Sequence, residues 1–112
     1  MREVKISIFD GEEIRDTSDH ASTLLNLEGY GGVALKTIII ENQLDQPVTL
    51  QCKASGHDDF SRSFDVGSSF EVAANTNTCQ TCESFFLYFK MVATCASAPT
   101  SGDLTVIVFG RS

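Results

Sequence analysis

Four cysteines and two histidines carry the widest chemical repertoire in this 112-residue chain. Cys79-Gln80-Thr81-Cys82 has the spacing of half a zinc site, where thiolates close a tetrahedral shell. The other half would fall to Cys52 and Cys95, which are not themselves a C-x-x-C pair. Residues 84–95 read as one strand, so the thirteen residues from Cys82 to Cys95 span roughly 40 Å when extended. A zinc site fails on that separation, and no metal is expected. Cys52 closes the alternating row Val48, Leu50, Cys52, and Cys95 closes Phe89, Met91, Ala93, Cys95. Each reads as a small buried hydrophobe, or the two meet across the core as a disulfide. Cys79 and Cys82 follow Ala74-Asn75-Thr76-Asn77-Thr78 and read as exposed in a polar loop, reactive or bridged to each other. No helix follows Cys82 to lower a thiolate pKa, which argues against redox catalysis.

His20 sits in Ser18-Asp19-His20 and His57 in Gly56-His57-Asp58-Asp59. Triad members are brought together by the fold and not by adjacency, so both read as residues of surface turns. Asp10, Glu12, Glu13, Asp16 and Asp19 supply oxygens of the kind calcium takes, but without EF-hand spacing they read as a solvated loop. Gly29-Tyr30-Gly31-Gly32 precedes a strand pattern and not a helix, so it is no phosphate cradle. Nothing here assembles a catalytic or cofactor site, and the chain reads as non-enzymatic.

What positions these residues is a succession of short β segments. Val4 to Phe9, Thr23 to Leu27, Ala34 to Glu41, Val48 to Cys52, Phe60 to Phe64, Ser69 to Ala73, Ser84 to Cys95 and Leu104 to Phe109 are strand candidates. Turn residues separate them about every ten positions, and no helical period intervenes. Asn42-Gln43-Leu44-Asp45-Gln46-Pro47 suggests a hairpin over 34–52, and Ala98-Pro99-Thr100-Ser101-Gly102 a second over 84–109. One antiparallel β-sandwich domain of about eight strands, spanning 1–112, follows, either jelly-roll or immunoglobulin-like. Val48 to Gly56 resembles an immunoglobulin B strand, but the chain has no Trp, and Ala93 stands where a Tyr would precede the second cysteine.

A net charge of −7, with eight scattered basic residues, excludes a nucleic-acid partner and opposes an anionic membrane surface. The longest apolar run, Phe85 to Phe89, is far shorter than a spanning helix, and no apolar leader follows Met1. Synthesis in a cytoplasm without a signal peptide, followed by association with a particle, is the expected localisation. The last two strand candidates are apolar on both faces. Phe86, Tyr88, Val92, Ile107 and Phe109 form an outer row that needs a cover. Either residues 10–30 supply it or a second copy does, which makes a homo-oligomer built on the 84–109 hairpin the expectation.

One further pattern bears on function. Gly29-Tyr30, Lys36-Thr37-Ile38, Glu41-Asn42, Leu44-Asp45-Gln46-Pro47-Val48-Thr49, Gly67-Ser68-Ser69-Phe70 and Ala98-Pro99-Thr100-Ser101-Gly102 occur in that order. This combination, over about residues 23–110, resembles small β-sandwich proteins encoded in tailed-phage, prophage and archaeal-virus-like gene clusters. Cys79-Gln80-Thr81-Cys82 departs from that pattern. The resemblance implies capsid decoration or tail and virion assembly through contacts with itself and other virion proteins, with no cofactor and no functional residue to transfer. The alternative is a small ligand-binding module for carbohydrate, disfavoured by the missing Trp and by only two Tyr, Tyr30 and Tyr88.

Overall fold

Alternation at period two builds the molecule. Val48, Leu50 and Ala54 are buried, while the intervening Thr49, Gln51 and Lys53 stay half-buried, the signature of a pleated strand covered on one side. The computed structural model describes residues 3–26, 34–84 and 88–111. These form β1 (Glu3–Glu12), β2 (His20–Ala21), β3 (Leu25–Asn26), β4 (Ala34–Asn42), β5 (Val48–Ser55), β6 (Phe64–Val72), β7 (Thr76–Ser84), β8 (Tyr88–Thr94) and β9 (Leu104–Arg111), with no helix among the described residues.

Two antiparallel sheets result. One runs β1-β9-β4-β7; the other runs β2-β8-β5-β6, with β3 also pairing β8. Ile38, Ile40, Leu104, Val106, Val108 and Ile8 of the first sheet meet Val48, Leu50, Val72, Phe89, Met91 and Ala93 of the second in one core. From β4 onward the chain changes sheet at every connection except β5 to β6. With β2 and β3 sharing one position beside β8, that winding of four strand positions against four is the jelly roll, the first of the two sandwich types expected.

Three expectations are corrected here. Residues 34–52 and 84–109 are not hairpins: β4 and β9 lie in one sheet, β5 and β8 in the other. Residues 84–95 are not one strand, since Ser84 ends β7 in the first sheet and Tyr88 opens β8 in the second. Cys79-Gln80-Thr81-Cys82 lies within β7 and not in a loop. Further, Phe60 to Phe64 belongs mostly to a turn, with Phe60 and Arg62 at positive φ, while β6 runs unbroken through Gly67 (φ 69°) by bulging there against β5.

One end of the sandwich is stitched shut. The wholly buried Asn42 side chain donates from Nδ2 to the carbonyls of Gln46, Val72 and Ala73, at 3.3, 3.2 and 3.0 Å, and its Oδ1 accepts from Leu44 N–H at 3.1 Å. A residue of β4 thereby holds the end of β6 in the opposite sheet. Beside it the 43–47 and 95–103 crossovers are tied together. Gln43 N–H donates to Asp103 O at 2.9 Å, Asp45 N–H to Ser101 O at 3.3 Å, and the Thr100 amide and hydroxyl both donate to the Asp45 carboxylate. Gly102 takes φ 86° where the two segments touch, and a Cβ there would fall 1.9 Å from Gln43 O.

Two outcomes follow at this end. Gly102→Ala is expected to lower unfolding free energy by about 2–4 kcal/mol in chemical denaturation, through positive-φ strain and backbone overlap; an unchanged midpoint would contradict it. The Thr100 donors hold the Asp45 carboxyl below its usual 3.8, so its contribution is present above that pH and lost as pH falls through the folded value. Thermal melts between pH 6 and 3, ordinary working values for such melts (~3 to ~6), should therefore show a smaller acid-side loss for Asp45→Asn than for the native chain.

Candidate interaction surface

Several of the polar groups singled out by type pair with neighbours in the β1–β2 loop. Asp16 accepts from Ser18 N–H (3.1 Å) and Ser18 Oγ (2.8 Å) and lies 2.8 Å from His20 Nε2. The His20 and Ser18 contacts hold the Asp16 carboxyl below the ordinary range. Asp19 accepts from Thr94 Oγ1 at 2.6 Å, fastening the β1–β2 loop to the end of β8. His57 belongs to the 56–63 turn, beyond the opposite ends of the strands. Among the described residues no group of three or more His, Cys, Asp or Glu could hold a metal ion.

Nor do the cysteines converge. Cys52 stands opposite Met91 in the β5–β8 ladder, so Cys95 lies four residues farther along, about 13 Å away and beyond disulfide reach. Cys95 is buried with a free thiol, which burial pushes up, the Asp16 carboxylate adding to it. Cys52 is only half-buried at the core margin, a departure from the expected full burial. Cys79 is exposed with a free thiol, opposite Ile39 on the outward face of β7, so it is not bridged to Cys82. The Cys82 side chain lies outside the described residues.

The expected apolar outer row is divided by the fold. Val92 projects from one outer surface, Ile107 and Phe109 from the opposite one, because β8 and β9 belong to different sheets. All three are half-buried, Tyr88 is buried, and Phe86 lies outside the described residues, as does Gly29-Tyr30-Gly31-Gly32. Beside Tyr88 the surface is occupied by loop 56–63. Ser55, opposite Tyr88, donates from Oγ to Ser61 O at 2.6 Å, and the Phe60 ring lies 4.8 Å from the Lys90 ammonium.

The open surface lies elsewhere, between β6 and β7. These edge strands face each other across the sandwich. Phe64, Val66, Phe70 and Val72 pair with Ala54, Cys52, Leu50 and Val48, so all four point inward. Thr76, Thr78 and Gln80 share the inward face of β7 with Asn42, Ile40 and Ile38 of β4. Near Asn42 the gap is closed: Val72 is buried and Thr76 half-buried. Away from that staple, Val66 is half-buried, Gln80 is exposed and Phe64 is 53% exposed. Phe64 is also the sole exposed large hydrophobic among the described residues. Sequence reasoning missed this surface, because Phe64 keeps an inward position in an apolar segment. Only the polar character of Thr76, Thr78 and Gln80, with no large apolar residue from Thr76 to Thr81, hinted that β7 would not cover it.

No protein-family model and no curated protein sequence matches the chain. Among solved structures it is similar to one described as PirA, with a TM-score of 0.56 and 12% identity over 96% of this chain and 92% of that one. That likeness shows a shared fold.

The burial gradient sets thiol reactivity. Under native conditions Cys79 should label first, and Cys95 slower by a factor of about 5000, because its exposure requires unfolding of a domain stable by about 5 kcal/mol. Alkylation followed by mass spectrometry reads the order, and Cys95 labelling ahead of Cys79 would contradict the assigned faces.

Proposed function

We propose that this chain is a non-enzymatic component of a virus-like particle, a capsid-decoration or tail and virion assembly protein acting through protein–protein contacts. The observation that carries the reading is the open β6–β7 margin. Inward-pointing Phe64 is 53% exposed and Val66 beside it only half-buried, while the other large apolar side chains among the described residues are at least half covered. Apolar surface of this kind is removed from water by a protein partner. The ordered resemblance over residues 23–110 supplies the particle, and the jelly roll is a scaffold used by capsid and lectin domains alike, so fold analogy leaves the choice to the surface.

The surface disfavours the carbohydrate-binding alternative. Sugar recognition needs open aromatic faces, yet Tyr88 is buried and the Lys90 ammonium lies over the Phe60 ring. Phe64 is open but flanked by apolar neighbours on its own strand face.

Particles purified from the source should contain the chain in a fixed ratio to the main shell or tail protein, measured by quantitative mass spectrometry. Its absence from particles, together with saturable binding to a glycan by the isolated protein, would overturn the reading.

A further inference from the structure

The two sheets present four outer strand edges, and each unpaired edge is a template for another strand. Three are blunted. β1 carries Lys5, Asp10 and Glu12 and shifts register twice against β9. β6 carries Asp65 and Glu71 and bulges at Gly67. β2 and β3 are two residues each. The β7 edge has none of these devices along Thr76-Asn77-Thr78-Cys79-Gln80-Thr81, which pairs with β4 without a register shift until the irregularity beyond Thr81. That stretch is neutral and free of Pro, Lys and Gly. Asn77 to Thr81 are exposed on both faces, and among the described residues no strand occupies the other side of β7.

We propose that β7 pairs antiparallel with β7 of a second copy of this chain, joining the two four-stranded sheets into one of eight strands across a two-fold axis. This rests on the assembly reading and names the partner. The symmetry of the contact favours a second copy over a foreign strand. The −7 of each chain opposes self-association, and Thr76 to Thr81, being uncharged, is where two copies meet with least repulsion. Extending the first sheet past β7 also sets new backbone over the gap where Phe64 is 53% exposed and Val66 half-buried. A two-fold axis makes both copies supply that cover at once. Backbone pairing supplies most of the contact, as in strand addition to a sheet edge.

The test is sedimentation equilibrium of the full chain from micromolar to millimolar concentration, at low and high salt. The expected result is a monomer–dimer equilibrium that tightens as salt screens the net charge. Gln80→Lys and, separately, Thr78→Lys should weaken it at least tenfold, since the symmetry places each added charge twice in one interface. Both positions are exposed, and circular dichroism checks that the fold persists. Ile107→Lys, on the outward face of the same sheet, should leave the dimer intact. A strict monomer at millimolar concentration would overturn the proposal while leaving assembly with other particle proteins standing. A dimer that survives both β7 variants but dissociates with Ile107→Lys would overturn it in favour of the outer sheet face.

Discussion

The Asn42 carboxamide is the joint on which this sandwich turns. A buried amide without partners would cost several kcal/mol, so the chain is constrained to bring carbonyls from β6 and from the 43–47 crossover to it. Meeting that demand pins the edge of one sheet to the interior of the other. The Asp45–Thr100 link and the close passage of Gly102 under Gln43 occupy the same end and depend on the same placement of the two crossovers.

Among the described residues nothing equivalent holds the far ends of β6 and β7 together. Burial falls away from the joint, from Val72 at 3% exposure to Phe64 at 53%. The functional reading grows out of this asymmetry, since a jelly roll sealed at both ends would offer only polar loops and half-covered sheet faces. The bulge at Gly67 belongs to the same arrangement. It bends β6 where its inward residues pass from covered to open.

Much of this was legible in the residues. Val48, Leu50 and the polar positions between them announce β5, and Leu104, Val106 and Val108 announce β9. What sequence could not settle is where each strand goes next. Asp45-Gln46-Pro47 and Pro99 to Gly102 are turn residues in a hairpin and equally in a crossover, because φ preferences are local and sheet membership is not. The segment 84–95 looked continuous because its apolar residues bridge a change of sheet. β7 escaped notice for the opposite reason, since a strand exposed on both faces carries no alternation to read. The open margin was hidden in turn, for Phe64 looks like any core residue until the strand opposite it proves polar.

The central claim is that the sandwich is shut at the Asn42 end and open along β6 and β7. Residue-resolved hydrogen exchange on dilute protein tests it most directly. The account predicts slow exchange through β4, β5, β8 and β9, with unprotected amides alternating along β7 where they face away from β4. Continuous protection along β7 at that dilution, equal to that of β9, would contradict it.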